Sequence, residues 1–322
     1  MWKNLSRSLY NYDKTKVNLL KAILPLIIIV HHIYNLWFKE LEFIGAQGDI
    51  VMYIFFAMSG YGLTISYIKN ADYINGFLKK SLTKLFIPYI FTLILFIIYR
   101  YSQGIDQVEL FKSEGLCSLV PTSWFIWVLS LFYIFFYICF KYIKTNNRNK
   151  VLLTCFLVLA YCLVAPQIGI EFWRYFRCPG FCVGMVFALC DKYIRNRMVL
   201  WHMLLILSIC FILKFHNLIP IKIEPIFWPA ILFIILYMIK PIKEFKLIKF
   251  LSSISLEMFI IQFIPIYILT NDFKAETTTI VVLGVLILDI FFAFALHKLV
   301  LKFRPFLERI YFDSLSQKKM NL

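Results

Sequence analysis

The 322-residue sequence has little charge. Only 16% of its residues are aspartate, glutamate, lysine or arginine, whereas soluble domains carry about 25%. Hydrophobic residues make up 61% of the chain, and the mean hydropathy is +0.77. These values exclude an ordinary water-soluble fold and indicate a membrane protein with several spans.

Metal-binding and disulfide patterns are also missing. The eight cysteines include no Cys-x-x-Cys pair, so we expect neither a zinc site nor a disulfide framework. Most cysteines fall within predicted spans, and Cys117 alone lies in a predicted outer loop. We detect no internal repeat and no Pro- or Ser-rich linker, which predicts one domain over 1–322. No cleavage site follows the first apolar stretch, so it should remain as the first span, and only a short tail is expected from about 298.

Ten apolar stretches predict an all-α bundle of about ten transmembrane helices. A spanning helix needs about 20 apolar residues, and several of these stretches are shorter. In the sixth stretch, the spacing of Gly180 and Gly184 is typical of helix packing. The approximate bounds are 17–38, 50–68, 82–99, 123–140, 151–166, 173–190, 199–213, 226–239, 250–270 and 279–297.

Acidic residues are scarce, and the net charge is +16. A strongly basic chain can bind nucleic acid, so the positions of the charges decide the interpretation. The N-terminal segment, every second loop and the C-terminal segment hold 25 of the 34 lysines and arginines, whereas the intervening segments hold six. This alternation follows the positive-inside rule and predicts that both termini lie in the cytoplasm. Membrane topology therefore explains the excess of basic residues, and no nucleic-acid partner is needed to explain it.

The first predicted span carries a polar stripe. At 3.6 residues per turn, Lys21 and His32 differ by about 20° around the helix axis, whereas His31 lies about 80° from Lys21. An ionisable group at the bilayer centre costs about 2.5–3.5 kcal/mol, so the stripe should face protein, a ligand or water. Its members are Asn18, Lys21, His32, Asn35 and Lys39.

His32 is the candidate catalytic base. It lies about 22 Å from the start of the span, in the predicted outer half of the membrane, and Asp49 should lie at a similar depth. A carboxylate beside an imidazole can fix its tautomer and raise its basicity. The alternative is a histidine that only hydrogen-bonds a neighbouring helix, and the choice between His31 and His32 stays open.

Two groups of residues are candidates for binding a donor. Ser59 and Gly60 lie near the middle of the second span, where small residues allow close approach of a helix or a ligand. Lys79, Lys80 and Lys84 lie at the entrance to the third span. Such a cluster can hold the phosphates of a nucleotide-bearing donor, or it can serve only topology and contact with anionic lipids.

Four residues are candidates for contact with an acceptor. Trp124 lies at the predicted outer interface, as an aromatic-belt residue or as a platform for a sugar. Arg174 and Arg177 begin the sixth span on the same side. They are ordinary if they are exposed at the interface, whereas an arginine drawn inward would suit an anionic or hydroxyl-rich substrate. Glu257, like Asp289, is a carboxylate within a span, and each is expected to pair with a buried cation or polar neighbour.

Six motifs, in order, resemble the acyltransferase-3 family of bacterial membrane O-acyltransferases. Together they cover nearly the whole chain. They are KAILPLIIIVHHIYN, IFFAMSGYG, FLKKSLTKLFIPY, SWFIWVLSLFYIFFY, CPGFCVGMVFAL and ISLEMFIIQFIPI. By this resemblance His32 takes the place of the essential histidine and Lys21 that of the usual arginine. The other matched positions are Ser59, Gly60, Lys79, Lys80, Lys84, Pro88, Trp124, Phe125 and Gly184. The chain departs from the pattern at Lys21, at Gln262, where many members have a histidine, and in lacking a Glu in the fourth span.

The resemblance implies an enzyme of the bacterial cytoplasmic membrane. Its donor substrate would be acyl-CoA, usually acetyl-CoA, its acceptor an envelope glycan or a lipid-linked sugar, and no metal or permanently bound cofactor is expected. No hydrolase-like domain follows the last span, so transfer should end in the membrane domain or on a partner, and a homo-oligomer is possible. One rival is a transporter or flippase of lipid-linked sugar. The sequence shows no recognisable pair of interrupted helices in two equivalent halves, and this counts against a transporter. The other rival is a non-catalytic assembly or sensory membrane protein.

Overall fold

A computed structural model describes residues 2–36, 47–104, 120–194, 196–215, 223–239, 243, 245–272 and 279–320. Within these ranges the regular structure is entirely helical. The α-helices, numbered in chain order, are α1 Trp2–Leu36, α2 Gly48–Lys69, α3 Tyr73–Ser102, α4 Ser123–Tyr142, α5 Asn147–Val164, α6 Phe172–Tyr175, α7 Pro179–Leu189, α8 Asp191–Ile194, α9 Arg197–Phe215, α10 Glu224–Met238, α11 Lys246–Ser253, α12 Ser255–Ile261, α13 Phe263–Tyr267 and α14 Thr279–Met320. A 3₁₀ turn, Ala165–Ile168, follows α5, and a π turn, Ile268–Asp272, follows α13.

Six helices of the described chain are long and apolar enough to cross a membrane. Two further apolar helices, Met198–Cys210 within α9 and Glu224–Met238, are shorter. The six segments are Lys14–Asn35, Gly48–Lys69, Tyr73–Ser102, Ser123–Tyr142, Asn147–Ile168 and Thr279–Phe303. The all-helical prediction is thus confirmed for the described residues, whereas the count of ten spans and the cytoplasmic termini stay predictions.

Two of the predicted spans are interrupted helices. The sixth consists of the short α6 and the 11-residue α7, which begins at Pro179, a residue without an N–H that fits the first turn of a helix. The ninth is divided into α11, α12 and α13. Pro265 cannot donate a backbone hydrogen bond to the preceding turn, which favours the break between α12 and α13. The described chain therefore contains interrupted helices, although the sequence shows no pair of them in two equivalent halves.

The contact between α2 and α7 is the most extensive in the bundle. It depends on three glycines, because a Cβ atom at Gly60 would overlap the backbone oxygen of Phe181. A Cβ atom at Gly180 or Gly184 would overlap a backbone oxygen of α2. Small residues of this kind let two membrane helices approach until their backbones touch. The predicted packing role of Gly180 and Gly184 is confirmed.

Polar side chains join α10 to the rest of the bundle. The buried Lys16 ammonium donates to the carbonyl oxygens of Leu236 and Ile239, the latter at 2.9 Å. A cation at this position suits the carbonyl groups that a helix leaves unpaired at its C-terminus. The hydroxyls of Tyr61 and Tyr237 both donate to Asp191. Lys16 therefore has a structural contact in addition to its place in the basic N-terminal segment.

Candidate functional site

Among the cavities formed by the described residues are two that charged side chains line, and each is named here by those side chains. The lysine cavity, of about 460 Å³, is lined by Lys14, Lys21, Lys69 and Lys84, together with Ser59 and Phe259 among others. The histidine cavity, of about 940 Å³, is lined by His31, His32, Arg100, Arg174 and Arg177, together with Trp124 and Phe259 among others.

The cavities lie at opposite ends of the long helices. Along α1, Lys21 lines the lysine cavity, whereas His32, about 16 Å further along the axis, lines the histidine cavity. The antiparallel α2 gives the same order, since Met52 near its start lines the histidine cavity and Lys69 at its end lines the lysine cavity. Of the polar stripe of α1, Lys21 lines the lysine cavity, and His32 and Asn35 line the histidine cavity. Asn18 lines neither cavity, and Lys39 lies outside the described residues.

The lysine cavity is a cationic pocket. No aspartate or glutamate is among the described residues that line it, although four lysines are. Of the predicted lysine cluster, Lys84 lines the cavity, whereas Lys79 and Lys80 do not. Amino groups that share a pocket repel one another, so an anion entering this pocket is stabilised by all of them.

The small residues of α2 fall into two groups. Ser59 and Gly62 line the lysine cavity, whereas Gly60 is used in the contact with α7. Gly60 is thus placed in helix packing and not among the lining residues. Ser59 and His32 line different cavities, so the structure does not place the Ser59 hydroxyl beside the candidate base.

The two histidines of the histidine cavity differ in their surroundings. The ring nitrogens of His31 lie 3.0 and 3.3 Å from the side-chain nitrogen of Asn35, and the ring packs so closely on Gly48 that a Cβ atom there would overlap it. The His32 ring packs on that of Phe263, with 4.6 Å between the ring centroids. His31 is therefore held from two sides, and both rings line the histidine cavity.

Asp49 has a different partner from the predicted one. Its carboxylate accepts a hydrogen bond from the guanidinium of Arg177. Asp49 is not among the described residues that line the histidine cavity. The structure thus places Asp49 to orient Arg177, and a direct pairing of Asp49 with His32 is not formed in it.

Two arginines and two tryptophans form one wall of the histidine cavity. The Arg177 guanidinium carbon lies 5.6 Å from the ring centroid of Trp124 and 5.4 Å from that of Trp173. Arg174 stacks on Trp173 at 4.9 Å and forms an ion pair with Glu171 at 2.9 Å. Such cation–π contacts hold the guanidinium groups in place. Trp124, Arg174 and Arg177, predicted separately, are thus brought together.

Glu257 lies away from this wall. It is buried, and its carboxylate lies 2.7 Å from the Nδ1 atom of His297 on α14. It lines neither cavity, so the structure places it in the contact between α12 and α14. Asp289 is also buried, and its carboxylate has no hydrogen-bond partner among the described residues.

The cavities approach each other at aromatic residues. Phe259 on α12 lines both of them. The neighbouring residues Trp124 and Phe125 on α4 line different cavities, Trp124 the histidine cavity and Phe125 the lysine cavity. The ring centroids of Phe125 and Phe259 are 5.0 Å apart. The two cavities therefore approach each other at these aromatic rings.

Sequence reasoning missed several of the lining residues. Arg100, Trp173 and Phe259 each line the histidine cavity. Arg100 is a charged residue at the end of a predicted span and could have been singled out by that signal. Phe259 gives no such signal, because it is one of 34 phenylalanines in a strongly apolar chain.

The fold and these cavities define a class: a multi-helix membrane protein with a cationic pocket at one end and a histidine-containing pocket at the other. The family model described as an acyltransferase domain matches residues 14–298. This match includes both cavities, and the chain belongs to the acyltransferase-3 family. No curated protein and no solved structure matches the chain.

Proposed function

We propose that this protein is a membrane O-acyltransferase that moves an acyl group, most simply acetyl, from acyl-CoA to a hydroxyl of an envelope polysaccharide or its lipid-linked precursor. Membership of the acyltransferase-3 family supports the reaction class. The observation that carries the proposal is the pair of cavities that lie at opposite ends of α1 and approach each other at Phe259. A donor can enter from one side and an acceptor from the other.

The distribution of basic residues supports an orientation. The lysine cavity lies at the end of the bundle where α1 begins and α2 ends, close to two of the basic segments. By the positive-inside rule this end faces the cytoplasm, where acyl-CoA is made. We therefore place the protein in a bacterial cytoplasmic membrane, with about ten spans, both termini inside and the histidine cavity on the outer side.

The lysine cavity suits coenzyme A. Its phosphate groups are anions that ammonium groups bind by charge-assisted hydrogen bonds. Lys84 and Lys14 lie toward the exposed end of this cavity, whereas Lys21 is partly buried. The pantetheine arm is narrow and partly polar, and the serines of the cavity wall offer it hydroxyl groups. Lys21 lies about 16 Å along α1 from His32, so it contacts the donor in this arrangement and not the reacting carbonyl.

Lys84→Ala is expected to weaken donor binding. The KM for acyl-CoA should rise about threefold to tenfold with little change in kcat, because the lysine holds a phosphate that takes no part in the reaction. Lys80→Ala, one helical turn earlier and exposed, is the matched control and should leave KM unchanged. The measurement is initial rate against acyl-CoA concentration at two ionic strengths, since salt should reduce the difference. Equal KM values for the two variants would contradict the role of Lys84.

His32 is the proposed general base. The acceptor hydroxyl attacks the carbonyl carbon of the thioester while His32 takes the hydroxyl proton. The carbon–sulfur bond then breaks, CoA leaves as a thiolate, and the proton of His32 passes to that sulfur. The products are the O-acylated acceptor and CoA thiol, so no further reactant is needed.

The tryptophan and arginine wall is the proposed acceptor surface. Trp124 and Trp173 contribute apolar ring surface to the cavity wall, and Arg174 and Arg177 offer N–H donors to the oxygens of a sugar. Asp49 and Glu171 hold these arginines by ion pairs and so act as positioning residues.

Acyl transfer in proteoliposomes tests this proposal. Purified protein would receive acetyl-CoA labelled in the acetyl group and envelope glycans of its host as acceptor. We expect label on the glycan and one equivalent of CoA thiol released for each acetyl transferred. A folded protein that gives neither product with an acceptor pool shown to be competent would overturn the proposal.

The second candidate is a transporter or flippase of a lipid-linked sugar. The interrupted helices α6–α7 and α11–α13 favour it, since broken helices often line the paths of transporters. A flipping assay with a fluorescent lipid-linked sugar separates the two functions, because flipping needs no acyl-CoA and releases no thiol.

A further inference from the structure

Three phenylalanine rings from three helices pack together where the two cavities approach each other. They are Phe55 on α2, Phe125 on α4 and Phe259 on α12. The ring centroid of Phe259 lies 5.0 Å from that of Phe125 and 5.7 Å from that of Phe55. The ring centroids of Phe55 and Phe125 are 6.2 Å apart. Aromatic rings at such separations pack against one another directly. These three residues, named here the three-ring layer, therefore leave little open width between the cavities.

We infer that the three-ring layer selects the acyl group by its size. This inference rests on the proposed function, because the thioester must come from the lysine cavity to within reach of a hydroxyl in the histidine cavity. All three rings line the lysine cavity, and Phe259 also lines the histidine cavity. The acyl chain then lies beside these rings, so acetyl needs room for one methyl group, whereas butyryl needs room for three carbons and meets a ring.

The fold makes Phe259 the ring with the strongest effect. It lies on α12, a seven-residue helix that is flanked by Ile254 and Gln262, and its carbonyl accepts a 2.8 Å hydrogen bond from the Gln262 side chain. Its side chain is 4% exposed. Because Phe259 lines both cavities, removing its ring joins them, whereas removing Phe55 only widens the lysine cavity.

A comparison of acyl donors tests this inference. Wild type and the variant Phe259→Ala would be given acetyl-, propionyl-, butyryl- and hexanoyl-CoA with the same glycan acceptor. A single methylene in an apolar pocket changes discrimination about 10-fold to 200-fold. We expect wild type to prefer acetyl, and Phe259→Ala to raise the ratio of butyryl to acetyl transfer at least about tenfold. Phe259→Trp should lower the same ratio and slow acetyl transfer.

A matched control separates selection from general loss of packing. Phe136 is a fully buried ring on α4 that lines neither cavity, so Phe136→Ala removes as much apolar volume without opening the layer. Its butyryl-to-acetyl ratio should equal that of wild type. A ratio that rises equally in Phe136→Ala, or stays unchanged in Phe259→Ala, would overturn the inference.

The remaining outcomes are also decisive. If Phe259→Ala has no transfer activity, the butyryl-to-acetyl ratios of Phe259→Leu and Phe55→Ala test the inference instead, since each variant removes less from the place where the cavities meet. Unchanged ratios in both would overturn the inference. Failure of the proposed function gives a different result, because the wild-type protein would then neither label the glycan nor release CoA thiol.

Discussion

Replacing His32 by alanine is expected to lower acyl transfer by at least about 100-fold, because a general base contributes about 10²–10⁴-fold to the rate. The variant should fold normally. The ring lines the histidine cavity and contacts the rings of Phe263 at 4.6 Å and His31 at 5.2 Å, so its removal enlarges a space that already exists. The measurement is kcat for labelled acetyl transfer in proteoliposomes, with thermal stability measured on the same preparation.

Two further histidine variants complete this experiment. His202 is exposed on α9 and bonds the carbonyl of Met198, so His202→Ala is the matched control and should transfer at the wild-type rate. His31→Ala decides which histidine is the base. If His31→Ala loses the activity and His32→Ala keeps it, the roles of the two residues are exchanged. If both variants keep full activity, neither histidine is the base.

Gly184→Leu is expected to prevent stable folding. A Cβ atom at this position already overlaps the backbone oxygen of Ala57, and backbone atoms of α2 cannot move aside as a flexible side chain can. Overpacking of a core costs about 1–3 kcal/mol, and we expect the upper end of this range or more because the clash is with backbone. The protein should lose its monodisperse peak in detergent or melt at a clearly lower temperature.

Gly76→Leu is the control for this prediction. Gly76 is exposed near the start of α3, and no neighbouring atom lies within 4 Å of a Cβ atom placed there. This variant should elute and melt like wild type, and it should retain activity. A Gly184→Leu protein that does the same would show that α2 and α7 do not approach as closely as described.

Local sequence patterns were sufficient to predict that the protein lies in a membrane and to predict much of the candidate site. The stripe of Lys21 and His32 could be read because helical periodicity places residues eleven positions apart on one face. The motifs identified the family, which the match over residues 14–298 confirms. The paired glycines of the sixth span could be read for the same reason, since their spacing matches one helical turn.

Interruptions of helices were harder to predict. The stretch 250–270 was predicted as one apolar span, yet residues 246–272 form three short helices and a π turn. Hydropathy averages over about twenty residues and does not respond to the loss of one or two backbone hydrogen bonds. The partner of Asp49 was beyond prediction for another reason, because Arg177 lies 128 residues away along the chain.

The sequence by itself determined that this protein lies in a membrane, that it is helical, and that one helix carries a lysine and a histidine on the same face. These properties follow from residue type and local spacing. Only the tertiary structure decided that Lys21 and His32 face different cavities, that Gly60 packs while Gly62 lines a cavity, and that Phe259 lies between the two spaces. In a chain that is apolar on nearly every face, the side on which one helix meets another is fixed by close packing, and close packing leaves no signal in local composition.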